Sequence, residues 1–476
     1  MAAPATHRPP EHTKLAHSPL PVQELPEESG WVEPQTPSWQ MSSAQSVLYW
    51  HDSLTPRFWW PHAASATAAS IATTALHRAL VIAHRLPRGA APTHPVAPGD
   101  DTTGAGAAGA RSRAAGRRPF VARARLPYHD GMSVFEREIN EQPEALRRLL
   151  ASGRGPTQAV VEAMRRHDVK FVQIAARGTS DNAARYAGYL FGVQNRLPVA
   201  LAMPSMNTLY DAPPNVATGL CIGISQSGES EDIRAVIGAA REQGALTLAL
   251  TNQPGSPLAK EAELCIDLCA GEEHAIAASK TYTAELMVLA LLSAELSDDT
   301  ARRREVERVP DAVALTLELA EEIERKVERY RYITRCVVLG RGYNYATAFE
   351  VALKLKETSY IVAEAYSSAD FLHGPMALVE LGFPLISIAP DGRAGQSMAE
   401  VMRAAELRGA ELCVISDRED LLSIGRTRIK LPAPLPEWLS PITAVVPGQL
   451  FAYYLARARD LDPDRPRGLS KVTVTR

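Results

Sequence analysis

The 476-residue chain reads as an α/β protein with two tandem domains, each a parallel β-sheet flanked by helices, preceded by a disordered N-terminal extension. Three observations predict this. From Lys170 onward, short apolar runs alternate with amphipathic helical stretches, the pattern of right-handed βαβ units and a parallel sheet. Landmarks recur at nearly one spacing: Arg177-Gly178 is echoed by Arg341-Gly342, an offset of 164, and Gly244-Ala245 by Gly409-Ala410, an offset of 165. A unit about 165 residues long is therefore duplicated. Composition also changes abruptly at Met132. Residues 1–131 hold 16 of the 35 prolines, 9 of the 12 histidines and 5 of the 6 tryptophans, but none of the five cysteines, so the front is a different kind of chain from the body.

Within that front, Gly104–Gly116 is built only of Gly, Ala, Arg and Ser and cannot bury enough apolar surface to offset its ordering entropy. Ala63–Ala83 is mostly Ala, Ser and Thr, broken by His77 and Arg78, too weak for a membrane span. No signal-peptide order opens the chain. Arg111, Arg113, Arg117, Arg118, Arg123 and Arg125 could touch nucleic acid, but a formal charge of −3 argues against a dedicated nucleic-acid binder, and a solvated linker is the commoner use of such a run. Met132 is expected to be a genuine or alternative start, with residues 1–131 dispensable. Five cysteines are too few and odd in number for a disulfide scaffold, which points to a reducing cytoplasm. Cys265 and Cys269 lie in an apolar run with no His nearby, so they are expected in the core and no metal is expected.

The body divides into a helical lead-in (132–159), a first domain (160–300), an exposed connecting helix (301–329), a second domain (330–467) and a C-terminal loop (468–476). Leu146, Leu149 and Leu150 give the lead-in its helical spacing. A strand at Phe171–Ala176 turns through Arg177–Ser180 into a helix over Asp181–Gly192. A second strand, Leu220–Ile224, turns through Ser225–Ser230 into a helix over Glu231–Gln243. Leu246–Leu250 is a third strand, and Cys336–Leu339 opens the second domain. The connector Ala301–Arg329 carries Arg and Glu at i, i+4 spacing, as an exposed helix does.

Ligands on such sheets bind at the carboxyl ends of the strands. There the halves differ. Ser225-Gln226-Ser227-Gly228-Glu229-Ser230 offers three hydroxyls and a helix start, whereas the counterpart Ile388-Ala389-Pro390-Asp391-Gly392 has no hydroxyl. Hydroxyls, free N–H groups and a helix dipole suit a phosphate monoester, with Thr179 and Ser180 on the neighbouring turn closing the other side. Simple N-capping by Ser is the plainer use of one such loop; two adjacent hydroxyl-rich turns favour phosphate. No Gly-Lys-Ser/Thr follows, so it is not a Walker loop. Lys354 and Glu357, i and i+3 on a helix, can share a site or pair in solvent, the usual fate of such pairs. His373, in the turn Phe371-Leu372-His373-Gly374-Pro375, is a natural proton carrier or a structural turn residue.

Together these residues resemble the sugar-isomerase (SIS) family over about Met132 to Arg476. The resemblance rests on Ser225–Ser230, on Ala277-Ala278-Ser279-Lys280-Thr281, on Ala352–Glu357, on His373-Gly374-Pro375 and on the tail Gly468-Leu469-Ser470-Lys471-Val472-Thr473. It is closest in kind to the isomerase half of the glucosamine-6-phosphate synthases and to the SIS-fold glucosamine-6-phosphate deaminases. It implies two SIS domains acting as a homodimer with a shared active site, on a phosphorylated hexose or amino-hexose, without a cofactor. Thr179, Ser225, Gln226, Ser227 and Ser230 would hold the sugar phosphate, with Ser180, Ala277 and Ser279 in the same substrate-binding set. Glu357 would move the proton between C1 and C2, His373 would open the pyranose ring from across the dimer, and Lys471, with Lys354 nearby, would lie on the loop covering the open-chain sugar. Aldose–ketose chemistry asks for such a base, an acid at the ring oxygen and cations for the enediolate oxygen.

The synthases hydrolyse glutamine with an N-terminal cysteine. Here the first cysteine is Cys221, so glutamine-dependent synthesis from this chain alone is not expected. Arg177, Leu372 before His373, and the tail Gly-Leu-Ser-Lys-Val-Thr lean toward the deaminases. The expected reaction is conversion of glucosamine 6-phosphate to fructose 6-phosphate and ammonia. The alternatives are a phosphosugar isomerase or ammonia-dependent synthase, and a non-catalytic phosphosugar sensor.

Overall fold

The alternation of apolar runs and amphipathic helices resolves into two five-stranded sheets in the computed structural model, which describes residues 132–471 except Ala433. The readings made on residues 1–131 and on 472–476 lie outside the described residues. Ser133 accepts a hydrogen bond from the N–H of Glu136 and starts α1 (Val134–Asn140), which leads into α2 (Gln142–Arg166).

The first half then runs β1 (Phe171–Ala175), α3 (Gly178–Leu190), β2 (Val199–Leu201), α4 (Ser205–Thr208), β3 (Gly219–Ile224), α5 (Glu231–Glu242), β4 (Leu246–Thr251), α6 (Pro257–Glu261), β5 (Leu264–Asp267) and α7 (Lys280–Leu296). The connector holds α8 (Thr300–Glu307), α9 (Val309–Leu317) and α10 (Ala320–Val327). The second half is β6 (Arg335–Gly340), α11 (Asn344–Ser359), β7 (Val362–Ser367), α12 (Ser368–Leu372), β8 (Pro384–Ile388), α13 (Gly395–Leu407), β9 (Glu411–Ser416), α14 (Glu419–Leu422), β10 (Thr427–Lys430) and α15 (Ser440–Ala458).

All strand pairs are parallel, in the orders β2-β1-β3-β4-β5 and β10-β9-β8-β6-β7. Read from its other edge, the second order is β7-β6-β8-β9-β10, which repeats the first. The duplication read from two landmark pairs is thus a duplication of topology. Strands β3, β4, β8 and β9 are buried along their whole length, which is why they read as unbroken apolar runs rather than alternating ones. Each sheet reverses its winding direction once, between β1 and β3 and between β6 and β8, and those reversals are where ligands seat.

Helices α3 and α7 of the first half meet α11 and α15 of the second in one shared layer. There α15 is buried continuously from Ser440 to Ala456, as a helix apolar on every side must be. The Tyr186 hydroxyl donates to the Trp438 carbonyl at 2.7 Å across this layer. Two readings change. The helix expected at Asp181 begins at Gly178, so Thr179 and Ser180 sit in its first turn, and it ends in a π turn over Phe191–Asn195. The connector is three helices rather than one, and Val306, Val309, Val313, Ile323 and Val327 are buried. Pro310 explains the first break, since it lacks an N–H and its ring crowds the carbonyl of Val306.

Gly448 sets the closest approach of α15 to α11: a Cβ there would lie 2.2 Å from Cγ2 of Val351, a side chain with little rotamer freedom in a helix. Gly448→Val is expected to destabilise the fold by about 1–3 kcal/mol, the usual range for overpacking. A lowered thermal midpoint of the full chain by calorimetry checks this, and an unchanged midpoint refutes it.

Candidate active site

The carboxyl ends of β1 and β3 open into a cavity of about 360 Å³, within the span of small-molecule sites. Its first wall is the turn after β3. Gly228 adopts φ +67°, and a Cβ there would meet Ser256 Oγ at 2.1 Å, so only glycine lets this loop press against the start of α6. The Ser225 hydroxyl accepts from the N–H of Gly228 at 3.1 Å and the Ser227 hydroxyl from the N–H of Glu229 at 3.3 Å. Ser230 stands at the N-cap of α5, yet its side chain makes no capping bond; plain helix capping does not account for it. Thr179 and Ser180 face this loop from α3.

A buried charge cluster forms the second wall. Lys354, fully buried on α11, donates to Glu357 Oε2 at 2.6 Å and to Thr179 Oγ1 at 3.1 Å, and lies 3.3 Å from Glu350 Oε1. Thr179 in turn donates to Glu350 Oε1, and Asn182 to Glu350 Oε2 at 2.8 Å. Burial lowers the affinity of Lys354 for its proton, but Glu350 and Glu357 outweigh it and raise the pKa. Burial raises that of Glu350, against the pull of Lys354. Glu357 Oε1 has no partner among the described residues and lines the cavity. Of the two readings of Lys354 and Glu357, the shared site holds rather than solvent pairing: Lys354 and Glu350 are fully buried and Glu357 is 21% exposed, because α11 lies in the layer between the sheets.

The third wall is the C-terminal segment. Arg467 donates its N–H to the Tyr360 hydroxyl and stacks its guanidinium 3.8 Å from that ring. Lys471 then reaches Glu273 Oε2 at 3.1 Å and the Ala275 carbonyl at 2.6 Å. Glu273 also accepts from the N–H groups of Ser279 and Thr281 and from the Thr281 hydroxyl. Burial alone would raise its pKa; Lys471 and these donors hold it below the usual value.

The structure brings Thr179, Ser180, Ser225, Gln226, Ser227, Ser230, Glu357 and Lys471 to one cavity, with Lys354 behind Glu357. Ala277 and Ser279 are not on its lining; Ile276 and Ala278 are. The segment before α7 alternates buried and half-buried positions, so 277 and 279 turn inward. His373 is exposed at the C-cap of α12 and is not among the lining residues of this chain's cavity. Residues the sequence did not mark as site residues are Arg177, which donates to buried Asp232 at 2.7 Å, and Glu285, Glu350 and Glu273. Ser180 donates to Glu285 Oε1 at 2.7 Å, while Oε2 has no partner among the described residues. Burial first, then the charges of Glu273 and Glu350, push Glu285 well above the carboxylate range. Only an i, i+4 step from Thr281 could have pointed to it. Among the described residues no group of three or more His, Cys, Asp or Glu is placed to hold a metal, and no helix is long and apolar enough to cross a membrane.

Fold and cavity together define a duplicated parallel α/β protein with a hydroxyl-rich cradle at one of its two winding reversals. The SIS domain family matches at residues 167–294 and 331–459, and the chain belongs to it. A glutamine–fructose-6-phosphate aminotransferase (isomerizing) of Thermococcus kodakarensis is 38% identical over 349 residues, covering 71% of this chain and 57% of the relative. The chain thus spans little more than half of that relative's length. A crystal structure of a candidate phosphosugar isomerase from Silicibacter pomeroyi superposes with TM-score 0.64 at 34% identity, covering 70% of this chain and 100% of that one. The C-terminal domain of the Francisella tularensis glucosamine-fructose-6-phosphate aminotransferase gives 0.66 at 27%, covering 72% and 100%.

Glu285 carries a pH signature. A carboxyl whose folded pKa is raised contributes stability that is fully present below the unfolded pKa and is lost as pH rises through the folded value. Glu285→Gln keeps the acceptor for Ser180 and removes the titration. Its thermal midpoint is expected to exceed that of the wild type by several degrees at pH 8, with the gain vanishing below the ordinary carboxylate pKa of about 4.3. A gain independent of pH would show that Glu285 is ionised in the fold.

Proposed function

We propose that the chain is an amino-sugar-phosphate isomerase and deaminase that converts glucosamine 6-phosphate to fructose 6-phosphate and ammonia. One observation carries the reading: Glu357 lies in the same cavity as the Ser225–Ser230 loop, with one oxygen fixed by Lys354 at 2.6 Å and the other without a partner among the described residues. The phosphate would sit on the hydroxyls of Thr179, Ser225, Ser227 and Ser230, with the Arg177 guanidinium at its edge. This anchors the sugar with C1 and C2 toward Glu357. The free oxygen takes the C2 proton and returns it to C1, leaving an imine at C2 that water hydrolyses to the ketone and ammonia. Lys354 holds Glu357 in place through its hydrogen bond, and Lys471 supplies positive charge for the developing oxyanion.

Ring opening needs an acid at the ring oxygen, and His373, which does not line its own chain's cavity, is the group we assign to it. His373 is exposed, and Leu372, Leu378 and Leu381, within eight residues of it in the chain, are 43%, 47% and 87% exposed. A second copy covering this patch would bring its His373 to the site, making the homodimer the working unit. The five free cysteines support a reducing cytoplasm as its setting. The similarity to the isomerizing aminotransferases supports a second reading: the same site run toward glucosamine 6-phosphate with free ammonia.

The full chain incubated with glucosamine 6-phosphate and no glutamine should release ammonium and fructose 6-phosphate in equal amounts. Glu357→Gln should cut kcat by at least roughly 10²-fold, the scale of a lost acid/base, with KM little changed, whereas Ser227→Ala should mainly raise KM. Sugar phosphate binding without turnover would instead identify a sensor. For the shared site, mixing Glu357→Gln with His373→Ala should restore about a quarter of wild-type activity, because half the randomly reassorted dimers regain one intact site. No rescue after verified exchange would place His373 outside the mechanism.

A further inference from the structure

The duplication leaves a second cavity that the sugar-phosphate reading does not use. In the second half, the turn after β6 and the turn after β8 converge on the reversal between those strands, as Arg177–Thr179 and Ser225–Ser230 do in the first. A cavity of about 650 Å³ lies there, with Arg341 and Arg393 from these turns, Arg196 from the end of the π turn after α3, and the rings of Tyr189 and Trp438 among its walls. It shares no lining residue with the first cavity.

Its chemistry has been changed, not erased. In place of the hydroxyl cradle, the Glu437 carboxylate accepts from the N–H groups of Arg393 at 3.0 Å and Ala394 at 3.3 Å, just before α13. Gly392, at φ +156°, permits this: a Cβ there would meet Glu437 Cδ at 2.2 Å. The chain's own carboxylate thus occupies the backbone donors that hold an anion at such a turn. Around it, the guanidinium groups of Arg196, Arg341 and Arg393 make no ion pair or side-chain hydrogen bond among the described residues. Three such groups against one carboxylate leave two positive charges uncompensated in a concave site. Tyr189, 38% exposed, offers a ring beside them.

We infer that this cavity is a second ligand site, which takes an organic phosphate carrying at least two negative charges, its phosphate on the arginine forks and its body against Tyr189. Guanidinium groups match phosphate oxygens in paired hydrogen bonds, and unpaired arginines converging on a cavity suit that ligand better than a neutral sugar. Two elements run from this cavity to the first. Helix α3 carries Thr179 and Asn182 at one end and Tyr189 at the other, and Arg341 lies just ahead of α11, which holds Glu350, Lys354 and Glu357. A ligand here therefore touches the ends of both helices that build the charge cluster, and a π turn at such a junction is a common mark of a functional segment.

The test is calorimetric titration of the full chain with pyrophosphate, a probe of the charge alone, at low ionic strength. Wild-type protein is expected to bind it. Arg341→Gln/Arg393→Gln should weaken binding at least about tenfold, as expected for lost charge-assisted hydrogen bonds. Arg241→Gln, at an arginine that lines neither cavity, should leave it within about twofold, and Glu437→Gln, which removes the one negative charge, should tighten it. The Glu437 variant keeps the test decisive if the double arginine variant folds poorly. Absence of binding, or binding weakened by Ser227→Ala but not by the Arg341 and Arg393 changes, overturns the inference.

Discussion

A lysine ammonium with no exposure to water governs how this molecule is put together. Lys354 would be strongly unfavourable in the layer between the two sheets if it stood alone. Glu350 one turn before it and Glu357 one turn after it supply the counter-charges on its own helix, and Thr179 supplies the remaining oxygen from the other half of the repeat. Removing one member of such a buried set leaves an uncompensated charge, typically a loss of about 3–5 kcal/mol. The cluster therefore fixes the contact of α3 with α11 and holds Glu357 in a single orientation. The proposed base is positioned by the interaction that also joins the halves.

That dependence explains why duplication did not yield two equal sites. The two reversals share a topology, but only the first has α11 of the other half lying across it with a carboxylate to offer. The second has a different turn, with Gly392 at φ +156° against +67° for Gly228, and its backbone donors are filled internally by Glu437. Serines at Ser225–Ser230 line the first cavity, whereas Gly392 makes room for the Glu437 carboxylate. One repeated topology thus supports a hydroxyl-lined cavity in one half and an arginine-ringed cavity in the other.

Much of this was legible in the sequence, for reasons that follow from period and composition. Central parallel strands are buried on both faces, so β3 and β4 appear as bare apolar runs, and the loop after β3 is visible because three hydroxyls and a glycine are poor choices for anything but a turn that binds. What was not legible depends on long-range placement. Glu350 and Glu285 are separated from their partners Asn182 and Ser180 by 168 and 105 residues, and nothing local distinguishes a helix carboxylate that will be buried from one that will face water. The connector misled for the same reason: its charged residues outnumber its valines, but the valines decide where it lies. Ala277 and Ser279 belong to the motif, but burial alternates along the bent segment before α7, and it is Ile276 and Ala278 that line the cavity.

Three buried carboxylates around one cavity end in different states, and the cause is the donor set of each. Glu273 gathers two backbone N–H groups, a hydroxyl and the Lys471 ammonium, and these hold it ionised against the cost of burial. Glu350 has an ammonium, a hydroxyl and an amide, and burial still outweighs them to leave its proton affinity raised. Glu285 has one hydroxyl and two like-charged neighbours, so burial and those charges raise its proton affinity well above the ordinary carboxylate value. Glu273 therefore anchors the C-terminal segment, Glu350 is a counter-charge for Lys354, and Glu285, its proton affinity raised, lines the cavity with Glu357. Removing the hydroxyl of Ser180 would take from Glu285 its one stabilising donor and push it further toward the neutral form, whereas removing Lys471 would leave Glu273 charged without its cation. The same residue type performs three tasks here because burial is common to all three and the hydrogen-bond donors are not.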